Sequence, residues 1–168
     1  MKLLSAVTIA ATVVLLQNAL SLVSALDMRF YTATNCAGGW LQCGNLPAGL
    51  CCYSPTVPAA ALRLTSVAGI VDFSGWASQT CSGSLAVRAS TTGCKPAAFA
   101  FTGHPTPAST CIVSRAPADC VEPDSFGFVD ENCKEHIAKI SEGNRKAVYG
   151  ALGTGDVATL KVETAAVA

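Results

Sequence analysis

Charge is scarce in this chain. Only 13% of its 168 residues are Asp, Glu, Lys or Arg, and eleven basic residues balance eleven acidic ones. That balance offers no electrostatic footprint for nucleic acid or an anionic membrane surface, and both are excluded as partners. Histidine occurs only at His104 and His136, and no G-x-S-x-G string marks a serine nucleophile elbow. The cysteines include no paired CxxC motifs of the kind that hold zinc. Past residue 25, no apolar run approaches the roughly 20 residues needed to cross a bilayer.

The one long apolar run lies at the start. Lys2 precedes LLSAVTIAATVVLL, and Val23 and Ala25 supply the small residues that a signal peptidase prefers. Residues 1–25 are therefore read as a cleaved secretory signal, with no membrane attachment after cleavage. Lys2 is the only charge removed, so the remainder carries ten basic and eleven acidic residues. Leu26 becomes the first residue, which excludes the copper oxygenases that use an N-terminal histidine as ligand.

Cysteine is what the chain has in abundance: Cys36, Cys43, Cys51, Cys52, Cys81, Cys94, Cys111, Cys120 and Cys133. Behind a secretory signal all nine are disulfide candidates, in an extracellular protein. Nine is odd, so one thiol is free, capped, or available for a covalent dimer. Cys51 and Cys52 are adjacent, and successive side chains of an extended backbone point to opposite faces. They are expected to staple their segment to two different places.

Period-two alternation dominates the chain beyond the signal. In Leu26–Tyr31, Leu26, Met28 and Phe30 face one way and Asp27, Arg29 and Tyr31 the other, as in a half-buried strand. Gly38-Gly39, Gly44-Asn45 and Pro47-Ala48-Gly49 punctuate, and Pro55 and Pro58 bracket a loop. Alternation resumes at Ala60–Thr65, and further short strands are expected at 70–73, 85–88 and 111–113, with a turn-rich loop over 103–110. A junction at 117–123 leads to a more charged segment. There, Cys133, Ile137 and Ile140 share a helical face and predict two helical turns over 133–140, while 157–162 reads as a last strand before a frayed alanine-rich tail.

One unit recurs. Tyr31, Cys36 and Gly38 have the same spacing as Trp76, Cys81 and Gly83. Phe128 and Cys133 repeat the first two positions, but Glu135 replaces the glycine. The pattern FYTATNCAGG…NLPAGLCC, followed by the strand Leu62-Arg63-Leu64-Thr65-Ser66-Val67, resembles the βγ-crystallin-like domain of small secreted fungal proteins. The resemblance covers roughly Leu26–Cys111. It implies a Greek-key β-sandwich whose units each open with an aromatic residue and carry a glycine in the turn. Calcium, common in that family, is not implied here: the paired Asn/Asp and Ser/Thr-Ser string is absent, and Asp72 with Ser74 is a thin substitute.

Candidate chemistry is sparse. A Cys–His nucleophile would need a free Cys133 thiolate beside His136, whereas the compartment favours a bonded Cys133 and a solvated His136. His104 lies in a loop. Asp124, Asp130 and Glu131 are carboxylates of the type used in glycoside hydrolysis, but they sit in a segment that reads as a solvated face. Trp40 and Tyr53 flank the cysteine cluster, and Cys51-Cys52-Tyr53-Ser54 resembles the CC-x-S fragment of hevein-type modules, without the full hevein spacing. If exposed, the two rings would stack on sugar. As core packing, Trp40 would be buried.

The reading is a mostly-β, disulfide-stapled Greek-key β-sandwich over residues 26–117. Residues 118–168 form a charged C-terminal extension, either α/β or a third imperfect repeat. The expected function is that of a secreted, non-enzymatic interaction or defence protein of the effector type. It has no cofactor or metal, and its partner is an extracellular protein or polysaccharide. The alternative is a carbohydrate-binding module acting at a cell wall through Trp40 and Tyr53.

Overall fold

The structure, a computed structural model, describes residues 26–47, 50–66, 73–105 and 120–167. The segment 1–25 expected to be a signal, Asp72, Cys111, the strand expected at 111–113, and most of the junction and of the strand expected at 70–73 lie outside the described residues. The chain is mostly β, with eleven strands in two sheets and two short helices among the described residues. The strands are β1 (Leu26–Tyr31), β2 (Gly39–Leu46), β3 (Cys51–Tyr53), β4 (Ala59–Ser66), β5 (Phe73–Trp76), β6 (Leu85–Ala89), β7 (Gly93–Phe101), β8 (Gly103–Pro105), β9 (Cys120–Val121), β10 (Ser125–Val129) and β11 (Glu135–Lys139). The helices are α1 (Glu142–Thr154) and α2 (Val157–Ala165).

One sheet runs β11-β10-β2-β1-β4-β7 and the other β6-β5-β8-β3-β9. Among these strands the pairings are antiparallel except for β3 with β9. β1–β4 and β5–β8 each place three strands in one sheet and send the third, β3 or β7, to the other. This exchange ties the two sheets together through the backbone. Between them lies a core that includes Met28, Phe30, Leu41, Leu62, Leu64, Phe73, Phe101, Phe126 and Phe128, with the Phe30 and Phe101 rings 6.3 Å apart.

Three disulfides among the described residues reinforce the backbone. Cys43–Cys52 joins β2 to β3 and hence one sheet to the other, Cys51–Cys81 joins β3 to the β5–β6 turn, and Cys36–Cys94 joins the β1–β2 turn to β7. The adjacent Cys51 and Cys52 thus reach two different places, as opposite-facing side chains of a strand must. Cys133 departs from the expectation. It is an exposed thiol in the β10–β11 turn, with no disulfide to a described residue.

All three aromatic–cysteine units form hairpin turns of one kind. Cys36, Cys81 and Cys133 take left-handed φ values of 56°, 54° and 61°, and each donates its N–H to the carbonyl three residues back, on Ala33, Ser78 and Asp130. Gly38 and Gly83 follow at φ 79° and 84°, where a side chain would be strained. The third unit needs no glycine because Glu135 already begins β11.

Three local expectations are corrected. Residues 135–139 form a strand, not a helix. β10 offers five residues for pairing, and His136 and Ala138 turn inward while Ile137, on the expected helical face, is 48% exposed. Residues 157–162 belong to α2. Gly155, at φ 73°, ends α1, and Asp156 caps the next helix by accepting from the Thr159 N–H, which overrides the valine alternation. Gly103–Pro105, read as part of a loop, forms β8 between β5 and β3.

A capping box starts α1: Ser141 Oγ accepts from the Asn144 N–H and Asn144 Oδ1 accepts from the Ser141 N–H. Val148, Ala151 and Leu152 of α1 and Leu160 of α2 are buried. The helices approach Gly39 so closely that a Cβ there would lie 2.6 Å from both Leu152 Cδ2 and Leu160 Cδ1.

Candidate ligand groove

The outward side chains of β1, β2 and β10 build an unusual layer. In register, Tyr31 lies beside Trp40 and Trp40 beside Gly127. A Cβ on residue 127 would come within 2.6 Å of Trp40 Cζ2, so glycine there lets the indole lie flat against β10. Trp40 is fully buried. Its ring packs 5.5 Å from Tyr31, and the Arg29 guanidinium covers it at 4.5 Å. This is a cation–π contact in a desolvated setting.

Arg29 is held in turn. Its Nε donates to Gln42 Oε1 at 2.9 Å, and its two terminal nitrogens donate to the two oxygens of Glu135 at 2.9 and 3.1 Å. β2 and β10 stand between β1 and β11, so a flat sheet would separate the outer pair by about 14 Å. The twist of the sheet and the length of both side chains close that gap. Burial pulls the Arg29 pKa down, but the hydrogen bonds and charge from Glu135 and Tyr31 outweigh it, leaving the guanidinium above its ordinary value. The hydrogen bond from Arg29, opposed by burial and aided by the charges of Arg29 and Arg63, holds the Glu135 carboxyl below the usual range.

Beside this pair opens a groove of about 550 Å³, lined by Arg29, Arg63, Leu64, Thr65, Thr92, Gly93 and Glu135. That is the size range of small-ligand sites, although this lining is polar. Arg63 lies opposite Arg29 in the β1–β4 register. It is half-buried, and no acceptor among the described residues takes its guanidinium. The floor at Gly93 (φ 101°) is open, since a Cβ there would meet nothing within 4 Å.

The residues expected to bind glycan are not brought together here. Trp40 has no face to offer a sugar ring, because Arg29, Tyr31 and Gly127 cover it. Tyr53 is half-buried, and its hydroxyl donates to Glu122 Oε1 at 3.1 Å, while Glu122 also pairs with Arg145 of α1. His136 is not a solvated helix residue. Its Nε2 lies 2.8 Å from Asp130 Oδ2 and its ring stacks on Phe128 at 5.0 Å. Asp130 also accepts from the Asn132 and Lys134 N–H groups. The His136 bond, helped by these backbone donors, lowers its carboxyl to about 2. Asp124 and Glu131 pair with Lys139 and Lys161. His104 lies on β8, opposite Cys52. Cys120 opens β9 beside Cys51. Among the described residues, no group of three or more His, Cys, Asp or Glu side chains could hold a metal ion.

Sequence reasoning placed Arg29 and Arg63 only as outward members of alternating strands. The signal it passed over was Glu135, the one residue that breaks the repeat's glycine. That residue bridges Arg29 and borders the groove.

The family model ARB_05566_N, described as an N-terminal domain, matches residues 27–145. The chain belongs to that family. The ARB_05566_N match contains every residue lining the groove and runs through β9, β10 and β11 into α1. No curated protein and no solved structure matches the chain. Three disulfides in so short a chain suggest an oxidising, extracellular environment, and no helix among the described residues is long and apolar enough to cross a membrane.

Proposed function

We propose that this is a secreted, non-enzymatic binding protein of the interaction or effector type, which engages its extracellular partner through the outer face of the six-stranded sheet. The observation that carries this reading is the polar groove beside Arg29 and Glu135, with the Arg63 guanidinium at its edge unpaired among the described residues. A rigid frame supports it: the groove's strands are backed by a shared core, and a disulfide anchors β7 to the β1–β2 turn. A site that must present fixed charges to a partner gains from such preorganisation.

The two four-strand runs are read as Greek-key units of the βγ-crystallin kind. The exchange of the third strand between sheets supports this, as does the positive-φ cysteine–glycine turn repeated in both units. The β10–β11 hairpin is then a third, partial unit added to the first sheet. A carbohydrate-binding role is the second reading, moved from the buried Trp40 to the groove.

The test combines binding and turnover. Labelled, disulfide-intact protein should bind extracellular wall material saturably and release no product from ester, glycoside or peptide substrates. Turnover that disappears in His136→Ala would overturn the non-enzymatic reading.

A further inference from the structure

The groove holds a guanidinium that no acceptor among the described residues takes, although its charge acts on Glu135. Arg29 is neutralised by Glu135 in a two-point contact, whereas Arg63, its neighbour across the β1–β4 pair, meets no carboxylate of the described residues within bonding distance. The local sum is two guanidinium groups against one carboxylate, an excess of one positive charge. Among the described residues the buried side-chain polar atoms without a partner belong to Trp40 and Tyr149, so the Arg63 guanidinium still meets water, which a ligand oxyanion would replace through paired N–H···O bonds.

The rest of the lining narrows the ligand. Thr65 and Thr92 place hydroxyl groups along one side, and the Thr65 hydroxyl donates to Asp27 O at 3.4 Å, leaving its lone pairs open. Glu135 lies on the other side as an acceptor. A ring bearing several hydroxyls and one carboxylate satisfies all of these together. An extended acidic peptide suits the site less, because it would bring many charges past Glu135. A phosphate group, with up to two negative charges, exceeds the single excess charge.

We infer that the Arg63 groove binds the carboxylate of an acidic sugar, a uronic-acid unit of an extracellular polysaccharide, with Thr65 and Thr92 contacting the ring hydroxyls. This rests on reading the protein as a non-enzymatic binder and names the ligand class of that same site. Arg63 is the carboxylate anchor. Glu135 positions Arg29 and limits the site to one anion.

The test is calorimetric titration of the disulfide-intact secreted protein with a galacturonic acid trimer, its fully methyl-esterified form, a neutral glucose trimer and a short acidic peptide. The expected result is saturable binding of the acid trimer alone, weakened at least tenfold in Arg63→Gln and strengthened several-fold in Glu135→Gln. Thermal unfolding of each variant reports whether it is folded. Arg63→Lys separates charge from fork geometry and should retain part of the affinity. Equal binding of the ester, unchanged binding in folded Arg63→Gln, or binding of the peptide but not the sugar acid would overturn the inference. In those cases, saturable binding to wall material would leave the broader reading standing. Shortened sugar products would sink that broader reading instead.

Discussion

Glu135 takes hold of both terminal nitrogens of Arg29, a residue 106 positions earlier in the chain, and so fastens the last hairpin to the first strand. Arg29 is almost fully buried and Glu135 is about half exposed, so the pair sits at the boundary where desolvation is partial. Glu135→Ala would leave a buried guanidinium without its carboxylate, held by Gln42, Tyr31 and the Trp40 face. We expect a loss of about 1–3 kcal/mol, read from chemical denaturation. The Glu135 carboxyl is held below its ordinary range, so its contribution is complete above the unfolded pKa and lost as pH falls through the folded one. The stability gap between wild type and Glu135→Gln should therefore narrow on acidification below about pH 4. A constant gap would mean that charge plays no part in the contact.

Gly127 is fixed by the indole it carries. An added methyl would meet both Trp40 and the His136 carbonyl oxygen, and the latter belongs to a paired strand that has little room to move. Gly127→Ala should therefore cost at least about 1–3 kcal/mol, the usual range for overpacking. It should also displace the Trp40 fluorescence maximum from its buried position. Gly150→Ala, at a helical position where an added Cβ meets nothing within 4 Å, is the control and should be neutral or mildly stabilising.

These two sites show what the sequence made legible. Alternation in β1 and β4 revealed the strands, and the adjacent Cys51 and Cys52 revealed a segment stapled in two directions, because both signals are local consequences of extended backbone. The aromatic–cysteine spacing marked three turns that share one conformation. The use of the outward face was hidden. Arg29 and Tyr31 read as solvent-facing, yet both are buried, because Trp40 lies flat only where a glycine 87 residues later in the chain makes room. Ile137 gave a false helical face, since its apolar character belongs to an exposed strand position rather than to the core. The groove combines residues from β1, β4, β11 and the start of β7, and no single stretch of sequence announces it.

The disulfides differ in how much unfolded chain they restrain. Cys36–Cys94 closes a separation of 58 residues and Cys43–Cys52 one of 9. Loop-closure entropy assigns them about 4 and about 2.5 kcal/mol respectively. Cys36→Ser/Cys94→Ser should thus lower the melting temperature more than Cys43→Ser/Cys52→Ser by that measure. The reverse order would show that the buried Cys43–Cys52 link, which joins the two sheets, contributes through packing rather than chain entropy. Alkylation without reduction should label Cys133 and leave these four cysteines, and Cys51 and Cys81 of the third bridge, unmodified. A covalent dimer abolished by Cys133→Ser would assign the exposed thiol to assembly.

The Asp130–His136 pair gives a pH-dependent signature that belongs to the hairpin alone. Three donors converge on the Asp130 carboxylate, led by the His136 ring, and its pKa falls to about 2. Because the folded value is depressed, the interaction stabilises the hairpin above the unfolded value of about 3.9 and disappears as pH falls towards 2. Carboxyl carbon shifts followed by NMR should show Asp130 titrating near 2 in the wild type. In His136→Phe, which keeps a ring stacked on Phe128, the midpoint should rise towards the ordinary aspartate range while the Asn132 and Lys134 N–H bonds hold it part of the way down. An unchanged midpoint would mean that the backbone donors of the turn set the value by themselves. His136 would then serve the hairpin through its stacking on Phe128 and not through its proton.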